Sequence, residues 1–326
     1  MISFRFHIVS ITAIFLAIAI GVVVGSTYVD NLVVDQLRRR INTVEESVDE
    51  ARADRDQLES QLESTRDYVD LSAEFAVTDR LTDVPVLITA VRGVDEAAVE
   101  RTVGLARRAG GAVPGIVWLE PRWALEGDED ALALATIVDG DAGSDRDELW
   151  VTAWQAIADE LAADESTGAI PSIEERVPAG PPEDSVLGQL EAAGFVSVDS
   201  LDESNMVLTD LLGADPRVLL VTGTNAEGSM AAVVPVAAEA SVDGGLSTVV
   251  ADVYVVDPES PARGSQLLDS LEDSLREEIV IVDHADVEPG RVAAVLALDT
   301  AANGDVGVHY GLGEGADAVL PGWTEP

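Results

Sequence analysis

The chain has 326 residues, and its 61 acidic residues outnumber 19 basic residues to give a formal net charge of −42. A surface this acidic repels nucleic acids and anionic lipid headgroups, so the composition argues against a DNA- or RNA-binding partner. The 19 basic residues are all arginine, and cysteine is absent, so the chain offers neither a disulfide nor a thiol ligand or nucleophile.

The first element is an uncharged apolar run at residues 8–25, IVSITAIFLAIAIGVVVG. Its length falls within the range that spans a bilayer as a helix, and we interpret it as an uncleaved, single-pass transmembrane helix. A cleaved secretory signal is the alternative, although the apolar core is long for a signal and no A-x-A triplet follows it. Arg5 precedes the run, while Asp30 and Asp35 follow it. These flanks favour residues 1–7 in the cytoplasm and an extracytoplasmic C-terminal domain.

A regular heptad pattern follows the apolar run and predicts a coiled-coil stalk over residues 27–76. Apolar residues recur at alternating spacings of 3 and 4, and neither Pro nor Gly interrupts the segment. β-Branched residues at the a positions with leucine at d positions favour a parallel homodimer with a left-handed supercoil. The alternative is a long helix that folds back on its own globular domain. The predicted seam residues are Val34, Leu37, Ile41, Val44, Val48, Leu58, Leu62 and Val69.

From residue 84 to the C-terminus, short β-branched runs alternate with alanine-rich stretches. This alternation predicts βαβ units and therefore a Rossmann-like α/β domain over residues 84–326 with a mostly parallel sheet. Residues 121–200 are less regular and predict a helical excursion packed on the same sheet. The predicted strands are 84–91, 113–120, 217–224, 247–256 and 277–283, and the predicted helices are 94–111, 228–240, 264–277 and 289–302.

In such a sheet, chemistry is expected in the loops at the carboxyl ends of the strands. Residues 223–229 carry two glycines at P-loop spacing, but Ser229 stands where a P-loop needs lysine, so we predict a plain βα turn. Residues 306–315 form a glycine-dense turn that contains His309. Neither a nucleophile elbow nor a paired-carboxylate motif stands out, so we expect no enzyme activity and no catalytic residue.

A third loop supplies a candidate metal site. Asp283, His284 and Asp286 follow one sheet-forming segment, and His309 belongs to another. Adjacent strand ends can bring the two imidazoles together, and imidazole with carboxylate ligands suits Cu(II) better than Cu(I). The alternative is a polar loop cap without a metal. The predicted metal ligands are His284, His309, Asp283 and Asp286.

Three stretches of the sequence resemble one known family. They are the N-terminal MISFRFHIVSITAIFLAIAIGVVVGS, the acidic heptads that follow it, and the C-terminal GVHYGLGEGADAVLPG. These stretches are similar to the mycobacterial copper transport protein B (MctB) family of actinobacterial envelope proteins, and the likeness covers essentially the whole chain. The resemblance implies a role in copper efflux or homeostasis and an outer-membrane, pore-like placement. A related branch implies a cell-envelope or division complex with a second membrane protein.

The residues themselves favour an indirect role in copper handling over direct conduction. Cu(I) prefers thiolate and thioether ligands, yet the chain has no cysteine and its only methionines are Met1, Met206 and Met230. A single helix cannot enclose a pore, and the predicted strands are short and uniformly apolar, unlike the alternating strands of a transmembrane barrel. We therefore expect an anchored coiled-coil dimer that displays an α/β domain. The rival interpretation is a non-catalytic scaffold in an envelope or division complex.

The heptad seam generates a prediction about oligomeric state. Residues 27–326 should sediment as a dimer and residues 80–326 as a monomer, because the seam has nowhere else to bury its apolar side chains. Replacing Ile41 and Leu58 by Asp should separate the dimer, since it places charge in the seam. Analytical ultracentrifugation is the measurement, and a monomeric 27–326 fragment would favour the folded-back helix instead.

Overall fold

A computed structural model describes residues 4–141, 143–162, 185–200, 207–223, 226, 230, 232–254, 267 and 270–322. Within it the chain divides into two compact units, Met1–Asp67 and Tyr68–Pro326. The second unit therefore begins earlier than the boundary at residue 84 that the sequence pattern suggested. The last turns of the predicted stalk belong to this second unit.

The first element is one uninterrupted helix, α1, from Phe4 to Val77. Its segment Phe6–Gly25 has a mean hydropathy of 2.7 and is long and apolar enough to cross a membrane. The side chains described there are exposed to solvent, with Phe15 at 68% of its full accessibility. An apolar helix surface of this kind matches a lipid environment, which agrees with the predicted span at residues 8–25.

The heptad positions of α1 leave an apolar strip uncovered in the single chain. Exposure of such a strip to water is unfavourable, and a second helix packed against it would bury its side chains. The side chain of Val34 lies outside the described part of the chain, and Val69 is only half-buried. The parallel coiled coil thus stays a prediction. The seam side chains that the structure describes as exposed are Leu37, Ile41, Val44, Val48, Leu58 and Leu62.

The last turns of α1 join the hydrophobic core of the second unit. Ala73, Val77 and Leu81 are all at most 2% exposed and belong to one buried apolar cluster with the sheet. Phe75, on the same turns, is 90% exposed. After Val77 the chain leaves the helix through Asp79, whose φ of 60° lies in the left-handed region that Asp tolerates better than most residues.

The core of the second unit is a seven-stranded sheet in the order β3-β2-β1-β4-β5-β6-β7. Neighbouring strands are parallel except β2 and β3, which are antiparallel. Every residue of β1, β2, β5 and β6 is buried, as expected for parallel strands covered on both faces. The strands are β1 Val86–Val91, β2 Gly115–Leu119, β3 Val196–Ser200, β4 Arg217–Gly223, β5 Thr248–Val253, β6 Val280–Val282 and β7 Val308–Tyr310.

The mostly parallel α/β sheet is confirmed, but two of its strands were not foreseen. Strand β3 lies inside the predicted helical excursion at 121–200, and strand β7 lies inside the predicted glycine-dense turn at 306–315. Both strands lie at the edges of the sheet. β3 is partly polar and β7 has only 3 residues. Neither therefore carries the continuous apolar run that identifies a central strand.

Helices complete the two outer layers of the unit. α2 packs against α8 and α4 packs against α6, while α6 and α8 both contact β4 and β5. Short 3₁₀ helices lie at Pro121–Ala124 and Leu208–Leu211. The α-helices are α2 Glu96–Arg108, α3 Asp128–Ile137, α4 Arg146–Leu161, α5 Val186–Ala192, α6 Val233–Asp243, α7 Asp273–Arg276 and α8 Glu288–Ala301.

The packing of α1 on the core can be tested with two matched substitutions. Val77→Asp should lower the free energy of unfolding of a 68–326 fragment by about 3 kcal/mol or more, because it buries an unpaired carboxylate. Phe75→Asp, the same kind of change on the exposed side of the helix, should change it by less than about 0.5 kcal/mol. Urea denaturation measures both values. Equal losses would show that the end of α1 does not belong to the folded unit.

Candidate functional site

The sheet brings three of the predicted ligand residues together at one edge. Strand β6 ends at Val282, so Asp283 and His284 follow it directly. Strand β7 pairs in parallel with β6, and His309 is in register with Ile281. The N–H of Asp283 donates to the carbonyl of Tyr310 at 2.9 Å and extends this pairing by one step. Because parallel strands end on the same side, Asp283 reaches both histidines.

The carboxylate of Asp283 is the centre of this cluster. Its Oδ1 lies 2.8 Å from Nδ1 of His284, and its Oδ2 lies 2.8 Å from Nε2 of His309. The N–H of Leu312 donates to Oδ1 at 2.7 Å, and the N–H of Gly313 lies 3.0 Å from both oxygens. We call these five residues the Asp283 hub. The hub ties the ends of β6 and β7 to the C-terminal loop.

The charge on the hub follows from these contacts. Burial by itself raises the pKa of Asp283, but the imidazoles of His309 and His284 and the N–H groups of Leu312 and Gly313 outweigh it and lower the pKa from 3.8 to about 2. The carboxylate is therefore ionised at neutral pH and accepts hydrogen bonds without donating any. Nδ1 of His284 must then carry a hydrogen, which leaves the lone pair of neutral His284 on Nε2.

The two histidines are held differently. His309 is 10% exposed at its side chain and His284 is 29% exposed. Nε2 of His309 is close to Oδ2 of Asp283, but the contact is not aligned as a hydrogen bond, and this buried nitrogen has no hydrogen-bond partner among the described residues. The ring of His284 stacks on Tyr254, with 5.2 Å between ring centroids and 23° between planes. His284 is thus a fixed, partly accessible ring, whereas His309 is an internal support of the carboxylate.

Glycines allow the loop to approach the carboxylate closely. A Cβ atom on Gly311 or Gly313 would overlap the Asp283 carboxylate, and Gly311 also has a φ of 139°. Gly290, in the first turn of α8, is equally constrained, since a Cβ there would overlap the carbonyl of His284. The dense glycines that the sequence showed at 306–315 are therefore explained in part by the hub.

Asp286, the fourth predicted ligand, points elsewhere. Its Oδ1 accepts a hydrogen bond from the N–H of Tyr254 at 3.0 Å and so ties the loop to the end of β5. Its carbonyl accepts from Arg291, which also pairs with Glu288. The carboxylate of Asp286 thus has a structural partner outside the hub.

As arranged here, the described residues contain no group of three or more His, Cys, Asp or Glu side chains that could hold a metal ion. At the hub, both oxygens of Asp283 already accept hydrogen bonds from backbone N–H groups. The four-residue metal site stays a prediction, with three of its members adjacent. Tyr254, Leu312 and Gly313 were not foreseen, and only the glycine spacing hinted at the last two. In the predicted βα turn at 223–229, residues 224, 225 and 227–229 lie outside the described part of the chain.

The chain is similar to known proteins over nearly its whole length. The family described as "Copper transport outer membrane protein, MctB" matches residues 1–321. Copper transporter MctB of Mycobacterium bovis is 28% identical over 331 residues, which covers 98% of this chain and 99% of the relative. Copper transporter MctB of Mycobacterium tuberculosis, strains CDC 1551 and H37Rv, matches with the same identity and coverage. The family resemblance drawn from the sequence motifs is confirmed.

The depressed pKa of Asp283 makes a testable prediction about acid stability. Because the folded-state pKa lies below the ordinary value, the stabilisation is fully present above about pH 4 and is lost as pH falls towards 2. Asp283→Asn should destabilise the 68–326 fragment by about 2–4 kcal/mol at neutral pH, since the amide turns an N–H towards a donor. The difference in free energy of unfolding between wild type and variant should become smaller as the pH falls from 4 to 2.

The control is Asp273→Asn, because Asp273 is 99% exposed and carries the same functional group. It should change the free energy of unfolding by less than about 0.5 kcal/mol at either pH. Chemical denaturation at several pH values measures these differences. If the difference in free energy of unfolding between wild type and Asp283→Asn stayed constant or grew as the pH fell, Asp283 would not be a buried carboxylate with a lowered pKa.

Proposed function

We propose that this chain, which belongs to the MctB family of copper transport outer membrane proteins, is an envelope protein of copper transport and homeostasis. The observation that carries the proposal is that the family likeness is not confined to one part of the chain. It includes the apolar helix, the heptads, the α/β unit and the loop that closes on Asp283. A protein similar throughout its length retains the architecture on which a family's role depends.

The proposed topology is a single-pass anchor with the N-terminus in the cytoplasm. The apolar segment Phe6–Gly25 supplies the anchor. Support for the orientation comes from Arg5 before the segment and Asp30 and Asp35 after it, since cationic flanks tend to remain inside. The α/β unit would then lie outside the cytoplasm. The family description names an outer membrane. Within the described residues, one apolar helix is long enough to attach the chain to a membrane.

We infer an indirect part in copper movement. One helix cannot surround an aqueous path, and the strands of the α/β unit bury both of their faces under helices. In this proposal the chain is an anchored parallel homodimer, joined along the α1 seam, that presents its α/β unit to copper and to a further envelope protein. The acidic surface favours cationic partners by long-range attraction.

A second candidate is a non-catalytic coiled-coil scaffold in a cell-envelope or division complex. The exposed seam favours it, because Leu37, Ile41 and Leu58 are each about half or more exposed in the single chain. Apolar side chains at heptad spacing are a means of assembly and need no metal. The two candidates predict different defects when the protein is lost. The first predicts impaired copper handling, and the second predicts impaired cell separation.

The deciding experiment is deletion of the gene in its native host, with cell-associated copper measured by mass spectrometry. If the chain supports copper efflux, the deletion strain should accumulate copper and grow less well in added copper, and wild-type complementation should reverse both effects. Zinc content is the control and should not change. A strain with normal copper but chained or misshapen cells would support the scaffold instead.

Complementation with Ile41→Asp/Leu58→Asp then asks whether assembly matters for copper. Loss of copper tolerance in this variant would connect the dimer to copper handling. Full tolerance would mean that the seam serves a separate purpose. Immunoblotting must show equal amounts of each protein in the membrane, so that lost activity is not merely lost protein.

A further inference from the structure

We propose that Nε2 of His284 is the atom through which the α/β unit contacts copper, as a single imidazole ligand for Cu(II) positioned by Asp283. This inference rests on the proposed copper function, which it deepens by naming the contacting atom. It replaces the four-ligand site expected from sequence with one ligand and a supporting carboxylate.

The first step is that Asp283 is a positioning residue. Its two oxygens face Nδ1 of His284, Nε2 of His309 and the N–H groups of Leu312 and Gly313, all within 3.0 Å. Both oxygens already accept hydrogen bonds, Oδ1 from His284, Leu312 and Gly313 and Oδ2 from Gly313, and Nε2 of His309 lies against Oδ2. A metal could bind Asp283 only by displacing buried donors, which would then be left unsatisfied.

The second step is that the carboxylate prepares His284 for a metal. Since Asp283 accepts from Nδ1, the lone pair of the neutral ring lies on Nε2, at the edge opposite the carboxylate. A ligating histidine commonly donates its other N–H to a carboxylate, which fixes the tautomer and raises the basicity of the ligand. Asp283 therefore supports His284 as a carboxylate commonly supports a metal-ligating histidine, by accepting the N–H of the nitrogen that does not bind the metal.

The third step is that the ring is held in place yet accessible. Tyr254 stacks against one face of it, and the backbone of His284 has a φ of 53°. The carbonyl of His284 accepts from the N–H of Val287 at 3.1 Å and packs against Gly290. With 29% of the side chain exposed, the ring can meet an ion without rearrangement of the hub.

The fourth step is the choice of ion. Imidazole suits Cu(II), whereas Cu(I) favours sulfur, and this chain has no cysteine. His309 cannot add a second Nε2 ligand, because that nitrogen faces Asp283. A site with one protein nitrogen, completed by water, releases copper readily. This property suits a protein that passes copper on.

The test uses the full-length chain in detergent, with His7→Ala so that His284 and His309 are the only imidazoles. Substoichiometric Cu(II) is added, and electron paramagnetic resonance records the hyperfine coupling to ligand nitrogen. The expected spectrum shows coupling to one imidazole nitrogen. His284→Ala should abolish it, and His309→Ala, the matched change at the other hub histidine, should leave it in place. Circular dichroism checks that both variants are folded.

A third variant tests the role of the carboxylate. Asp283→Asn should weaken Cu(II) binding by about 10- to 100-fold while His284 remains, as loss of a supporting partner does at other metal sites. If this variant does not fold, the comparison of the two histidine variants still decides the question.

Loss of the nitrogen signal in both histidine variants would overturn the single-ligand site in favour of a two-imidazole chelate. A signal that survives in both, or no nitrogen coupling in the wild type, would assign the copper to the terminal amine or to surface carboxylates and would also overturn it. These outcomes are independent of the cellular copper measurement. Normal copper tolerance with His284→Ala would refute this site and leave the proposed function standing.

Discussion

The organisation of the C-terminal part of the fold depends on one buried anion. Asp283 lies where β6 ends, almost without access to water, so its charge has to be met by donors from the protein. Two imidazoles and two backbone N–H groups meet it. The donors come from three segments: the turn after β6, the edge strand β7 that pairs with β6, and the glycine loop that follows β7. The requirement to satisfy the charge therefore holds these segments in one arrangement.

The same constraint explains the unusual composition of the loop. A backbone N–H can reach a buried carboxylate at 2.7–3.0 Å only if no side chain stands between them, and Gly311 and Gly313 provide that space. Gly290 likewise leaves space where α8 begins, because a Cβ atom there would overlap the carbonyl of His284. The glycines, the histidines and the aspartate are thus parts of one structural unit.

Copper chemistry without sulfur imposes its own limits. A chain that lacks cysteine and has three methionines is poorly suited to a soft, tight Cu(I) site, and its nitrogen and oxygen ligands suit Cu(II) better. A partly exposed imidazole backed by an ionised carboxylate is the arrangement in the described residues that comes nearest to such a contact. The proposed contact through one imidazole would suit movement of copper more than storage. The acidic surface, which repels nucleic acid, attracts cations by the same long-range field.

Features that depend on local patterns could be predicted from the amino-acid sequence alone. The apolar run predicted an apolar helix long enough to cross a membrane, and the absence of Pro and Gly from residues 27–76 predicted a continuous helix there. The β-branched runs predicted β1, β2, β4, β5 and β6 in a mostly parallel sheet. Short edge strands were missed, because β3 is partly polar and β7 has 3 residues. The sequence could nominate Asp283, His284 and His309, but only the pairing of β6 with β7 placed them around one carboxylate and turned Asp286 away. Only the tertiary structure could show this arrangement, because His309, Leu312 and Gly313 are distant from Asp283 in the sequence. A local sequence pattern does not indicate which distant donors will surround a buried charge.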